Sequence, residues 1–225
     1  MITFKIDLTN EDKELVQTAK IFTRWKENLL KNFDVQEIII HNFFKFGSRV
    51  GFIIVEAKAK HENKPVPGIA FLRGDSVSIM PVFSVEGRKE LYTAIVTEAR
   101  IPIASNAHSG LPAGMIDGET FHSAAIRELE EEVGEEINIS THDLINLGKF
   151  PLSAGGCDEY MTLMAFEYTL SEKTFNLLNG RQRGCAGEHE NIHVTLIPLE
   201  NIPNIQNIDA RSILSLFLYK NQQTK

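Results

Sequence analysis

Leu111-Pro-Ala-Gly-Met-Ile-Asp-Gly-Glu119, continuing through Thr120 to Arg127-Glu-Leu-Glu-Glu-Glu-Val-Gly134, carries the strongest pattern in the chain. Its second half predicts an amphipathic helix with Thr120 at the N-cap. Ala124, Ala125, Leu129 and Val133 recur at helical spacing and form the apolar side. Glu128, Glu131 and Glu132 stand at i, i+3 and i+4, so their carboxylates leave the helix on one face. Like charges at that spacing repel, and crowding them is unfavourable unless a cation lies among them. Oxygen ligands of this kind suit Mg²⁺ or Mn²⁺, ions that also take phosphate oxygens. A run of glutamates by itself reads more readily as a solvated acidic face. The surrounding residues decide between the two.

The chain has 225 residues, enough for one substantial domain or one domain plus a smaller one. A net charge of −7 argues against a surface built to hold nucleic-acid backbone. A small phosphorylated substrate is still compatible with that balance if a divalent metal supplies the positive charge. The start, Met1-Ile-Thr-Phe-Lys-Ile-Asp-Leu-Thr, has no apolar h-region, and no segment approaches membrane-spanning length. These features predict a cytoplasmic protein with no membrane partner. The two cysteines, Cys157 and Cys185, lie in glycine-flanked loops and form no disulfide framework. The histidines show no metal-ligand spacing.

Along the chain, residues 10–32 predict a single helix with Leu15, Ala19, Phe22, Trp25 and Leu29 on one stripe. Strand-like runs follow at 35–44, 49–59 and 66–73, separated by turn-forming residues. They suggest a small antiparallel unit ending near Gly74, which divides the chain into residues 1–74 and 75–225. A hairpin over 77–96, a loop over 104–110, strands at 144–150, 160–170 and 192–197, a short helix at 171–179 and a closing helix at 208–219 complete the chain. Strands on both sides of a central helix indicate a layered α/β fold.

Glu119, seven intervening residues and Arg127-Glu128-Leu129-Glu130-Glu131-Glu132-Val133-Gly134 resemble the Nudix box, Gly-x5-Glu-x7-Arg-Glu-U-x-Glu-Glu-x-Gly-U. The match departs in two places: Gly114 stands one residue too close to Glu119, and Glu135 replaces an aliphatic residue. Arg49-Val-Gly-Phe, Thr97-Glu-Ala-Arg-Ile-Pro, Leu111-Pro-Ala-Gly and above all Ser153-Ala-Gly-Gly-Cys-Asp-Glu are similar to the ADP-sugar diphosphatase branch of that superfamily. Gly110 departs from it, since relatives often carry Glu before Leu-Pro-Ala-Gly.

The resemblance implies a Nudix α/β/α sandwich with a mixed sheet and a small N-terminal antiparallel β domain that serves a homodimer. It implies hydrolysis of an ADP-sugar, such as ADP-ribose or ADP-glucose, to AMP and a sugar phosphate. Roughly two or three Mg²⁺ or Mn²⁺ ions per site would neutralise the diphosphate. The implied metal ligands are Glu128, Glu131, Glu132 and the Ala113 carbonyl. Arg127 would orient those carboxylates, or else form a surface i,i+4 pair with Glu131. Glu190, with Glu188 as second choice, is implied either as the base or as a further metal ligand. Arg100, Gly155, Gly156, Asp158 and Glu159 are the implied substrate contacts, and a plain surface role for Arg100 stays open. Two alternatives also stand: another nucleotide substrate (UDP-glucose, GDP-mannose, NADH or a dinucleoside polyphosphate), or a nucleotide-sugar sensor without turnover.

Overall fold

A short strand, β1 (Ile2–Phe4), precedes a helix that Thr9 caps by accepting from Asp12 N at 3.1 Å. The computed structural model, which describes residues 1–116, 118–183 and 191–224, then breaks the expected single helix in two. These are α1 (Asn10–Thr18) and α2 (Lys20–Asn32), parted at Ala19, where ψ is 132°. The Thr18 hydroxyl donates to Glu14 O at 2.8 Å, taking up a carbonyl of the closing turn. The break has a packing reason. Val16 and Phe22 are both fully buried, yet on one continuous helix they would lie about 120° apart around the axis. Separate helix directions let both reach the same core.

That core lies under a sheet of β1, β2 (Asp34–Phe46), β3 (Arg49–His61), β4 (Lys64–Val66) and β5 (Ile69–Leu72). β1 pairs with β2 in parallel, and the other pairings are antiparallel. Ile38, Ile40, Ile53, Val55 and Leu72 alternate inward along their strands onto α1 and α2. The strand expected over 66–73 is interrupted at Gly68, where a Cβ would collide with the Ala57 carbonyl. Residues Met1–Asp75 and Pro151–Tyr160 together form this compact unit. The later segment is held by Phe71 N donating to Gly156 O at 2.8 Å.

The second unit, Ser76–Phe150 with Met161–Lys225, is a layered α/β structure. Its strands are β6 (Ser76–Val85), β7 (Tyr92–Arg100), β8 (Ser105–Gly110), β9 (Ala113–Met115), β10 (Ile145–Pro151), β11 (Tyr160–Leu170), β12 (Gln182–Arg183) and β13 (Ile192–Pro198). Its helices are α3 (Phe121–Glu132), α4 (Glu172–Leu178) and α5 (Ala210–Gln223). The strand order is β10-β11-β6-β7-β13-β12, with β8 beside β7 and β9 beside β6. The sheet is mixed: β6 and β11 run parallel, while β7 pairs antiparallel with β8 and β13.

Period-two alternation supplies two apolar faces from the same strands. Val77, Ile79 and Phe83 pack with Ala124, Leu129 and Phe175 on the α3 and α4 side. Met80, Val82 and Ile95 pack with Leu216 and Tyr219 on the α5 side. The stretch expected as a loop over 104–110 is instead strand β8, with Glu98 opposite His108 and Val96 opposite Gly110. Its Ser, Asn, His and Gly residues carry turn chemistry, but the open edge of β7 recruits their backbone groups.

Candidate active site

Helix α3 begins as its sequence directs, with Thr120 Oγ1 accepting from Ser123 N at 3.1 Å. Ala124, Ala125 and Leu129 sink into the core beneath the sheet, and that docking fixes which way the glutamates point. Glu128 and Glu132 are 8% and 5% exposed, whereas half of the Glu131 side chain remains in solvent. The face the two buried carboxylates meet is β9. Ala113 N donates to Glu132 Oε2 at 3.1 Å. The Glu128 carboxyl lies flat against Gly114, where any Cβ would overlap it.

The strand itself is anchored from the other side. Pro112 O accepts from Ile79 N at 2.9 Å and from Ser78 Oγ at 3.2 Å. Successive residues of a strand turn their backbone groups to opposite sides. Pro112 O therefore faces β6, while Ala113 turns its N–H the other way, to Glu132.

Arg127 gathers the remaining acids. Its Nε donates to Glu119 Oε1 at 2.9 Å, and its Nη1 lies 2.8 Å from Glu128 Oε1 and 2.9 Å from Glu131 Oε2. Nη2 also donates to Met115 O at 3.2 Å. Burial disfavours the guanidinium charge, but Glu128, Glu119 and Glu131 outweigh it and raise the Arg127 pKa. The i,i+4 pair with Glu131 and contacts to two further acids, Glu119 and Glu128, are thus present in one side chain. Among the described residues no three Asp, Glu, His or Cys side chains are gathered as a closed ligand set. The Arg127 guanidinium stands between Glu128 and Glu131. The buried carboxylates of Glu128 and Glu132, with Glu131 on the helix surface, are hard oxygen donors of the type a divalent cation takes.

Beside Glu132 and Ala113 a small pocket continues between β7, β8 and α5, walled by Glu98, Arg100, His108 and Arg211. Arg100 pairs with Glu98 on the same strand face. Asp209, the N-cap of α5, accepts from Ser212 N at 2.8 Å and pairs with Arg211. Glu98, His108, Asp209 and Arg211 escape a sequence reading. Period two along β7 does place Glu98 with Arg100, and Asp209 has the residue type of an N-cap.

Asp158 and Glu159 belong to the N-terminal unit, as do Gly155 and Gly156. Asp158 Oδ1 accepts from Arg73 N at 2.7 Å and from Gly74 N at 3.2 Å, and its Oδ2 lies 3.1 Å from Arg24 Nη2. Glu159 lies 3.6 Å from Arg73 Nη1. Asp158 thus braces the backbone of its own unit, while Glu159 faces an arginine side chain. A Cβ at Gly155 or Gly156 would stand in open space. Glu188 and Glu190 lie outside the described residues.

The NUDIX domain family model matches residues 72–217. The chain is a Nudix hydrolase. Its relatives include Nudix hydrolase 14, chloroplastic, of Arabidopsis thaliana, 30% identical over 91% of this chain and 71% of that one. Putative nudix hydrolase 2 of Caenorhabditis elegans is 40% identical over 40% of this chain and 37% of its own. A solved structure described as an ADP compounds hydrolase superposes with a TM-score of 0.58 at 19% identity, covering 86% of this chain and 95% of that one. The likeness shows that this Nudix chain shares its α/β fold. Nudix hydrolases work with divalent metal ions, in keeping with the donor set on α3 and β9. No helix among the described residues is long and apolar enough to cross a membrane.

Proposed function

We propose that this Nudix hydrolase cleaves the diphosphate bond of an ADP-sugar, ADP-ribose or ADP-glucose, giving AMP and a sugar phosphate with Mg²⁺ or Mn²⁺. The observation that carries the reading is the seating of Glu128 and Glu132 on β9, one against Gly114 and the other on Ala113 N. Glu128, Glu132 and the Ala113 carbonyl would hold the metal, with Glu131 joining from the helix surface. A divalent cation bound there neutralises phosphate oxygens and lowers the pKa of a water. The chain's own groups do the rest. Arg127 keeps the carboxylates aligned, as its contacts to Glu119, Glu128 and Glu131 support. Arg100, at the pocket beside Glu132, offers a planar fork to a phosphate. Glu190 or Glu188 takes the water's proton. The ADP choice is supported by the Ser153-Ala-Gly-Gly-Cys-Asp-Glu motif and by the fold shared with an ADP compounds hydrolase.

The test is AMP release from ADP-ribose, ADP-glucose, UDP-glucose, GDP-mannose and NADH with Mg²⁺, beside Glu132→Gln. Turnover confined to ADP-sugars and lost in the variant is the expected result. Turnover of another nucleotide alone discards the substrate, and nucleotide-sugar binding with no turnover makes the protein a sensor. The homodimer of the reading has apolar surface to draw on, since Phe44, Phe46 and Ile69 are exposed on the N-terminal unit. A monomer by light scattering would refute it.

A further inference from the structure

Arg211 is a guanidinium with unfilled donors in a nearly closed place. Its side chain is only 19% exposed. Asp209 takes Nε, while Nη1 reaches only the Met161 thioether at 3.7 Å, a poor acceptor. Nη2 has no partner among the described residues. The Arg211 nitrogens are not among the fully buried, unpartnered polar atoms of the described residues, so the free terminal donors still reach solvent and can take the oxygens of an anion. Arg211 lines the pocket that also holds Arg100, Ala113 and Glu132.

Gly110 explains how a residue of α5 comes to stand there. A Cβ at 110 would collide with the Asp209 carboxylate, and Arg211 Nη2 lies 3.6 Å from that same point. The missing side chain leaves room for Asp209 to enter beneath β8 and aim Arg211 at the pocket. The aim is rigid, because Asp209 Oδ1 is held by Ser212 N and Ser212 Oγ, at 2.8 and 2.6 Å. Each arginine of the pocket is balanced by one acid, so neither pair attracts an anion by net charge. What the pair offers is directed N–H groups, the feature that suits a guanidinium to phosphate oxygens.

We propose that Arg211 is a substrate-binding residue which, with Arg100, grips an anionic phosphate oxygen of the diphosphate substrate beside Glu132. The proposal rests on the ADP-sugar reading and assigns that site a contact from α5.

The test compares wild type, Arg211→Met and Arg211→Lys for KM and kcat with ADP-ribose and ADP-glucose, and for Mn²⁺ affinity by electron paramagnetic resonance. Loss of a charged hydrogen bond should raise KM about tenfold to a hundredfold in Arg211→Met. Arg211→Lys, which keeps charge but not the fork, should fall between. Mn²⁺ affinity should stay at the wild-type value, since Arg211 is no metal ligand. Unchanged KM in both variants overturns the proposal. So does a parallel fall in melting temperature, Mn²⁺ affinity and kcat with KM unmoved, which marks a purely structural brace for α5. Wild-type turnover judges the ADP-sugar reading and the ratio between variants judges Arg211, so the two can fail separately.

Discussion

Gly114→Ala separates the stability of the fold from the geometry of the site. Gly114 lies in the extended strand β9, so alanine suits its backbone, and the substitution alone would stabilise by about 0.4–1 kcal/mol through the unfolded chain. Against that, the new methyl occupies the seat of the Glu128 carboxyl. Glu128 must swing away and lose its 2.8 Å contact with Arg127, a charged hydrogen bond of roughly 1.5–3 kcal/mol. The difference is a net loss of about 0.5–2.5 kcal/mol, and melting should fall by roughly 1–10 °C. The displaced carboxylate is also a metal ligand in the proposed site, so Mn²⁺ affinity should drop at least about tenfold, ~1.4 kcal/mol. Electron paramagnetic resonance titration of Mn²⁺ gives the affinity, and the Mg²⁺ dependence of AMP release gives its consequence. Gly114→Ala combined with Glu128→Asp supplies a carboxylate one methylene shorter, which clears the new Cβ and should recover part of the loss. Wild-type Mn²⁺ affinity in Gly114→Ala would refute the reasoning, because Glu128 would then pack on β9 without serving the metal.

Arg127→Met removes the contacts to Glu119, Glu128, Glu131 and Met115 O, and scanning calorimetry should show a loss of about 2 kcal/mol, with unchanged melting as the contrary result. Asp158→Asn keeps the acceptor for Arg73 N but loses the charge that faces Arg24, so the stability obtained from thermal melting should fall by about 1–3 kcal/mol. KM for ADP-ribose should stay within about twofold, since this acid braces backbone, and a selective rise in KM would return Asp158 to the substrate. Burial pushes the Cys157 thiol up, so less thiolate is present at neutral pH than in free cysteine. In a Cys185→Ser background, iodoacetamide should therefore modify Cys157 more slowly than a model thiol, and the rate should climb with pH well into the alkaline range.

Helix α3 was legible because its information is local: an N-cap, a 3.6-residue apolar repeat and acids on one face. The partners of those acids were only half legible. Ala113 and Gly114 sit in the same motif, yet nothing in the order of residues says that Glu128 needs the absent Cβ of Gly114 as its seat. The break at Ala19 left no trace, since neither glycine nor proline marks it and the cause is a shared destination for Val16 and Phe22. Strand β8 has the composition of a turn, and only its neighbour β7 makes it a strand. Asp158 has contacts that its motif does not announce: it satisfies two backbone N–H groups and an arginine of its own unit. Asp209 and Arg211 were hidden because only the fold brings residues so far along the chain back to Gly110.

The hydroxyl of Ser212, fully buried, accepts from the backbone of Leu111 at 3.0 Å. Residue 111 therefore depends on the first turn of a helix a hundred positions later for its only named acceptor. Fraying of that turn would expose the Leu111 amide to deuterium, so its exchange rate reports the opening of α5 and not of the sheet. Ala113, whose amide meets Glu132, lies only two residues beyond that tether, so the last helix anchors the approach to β9 through a single hydroxyl.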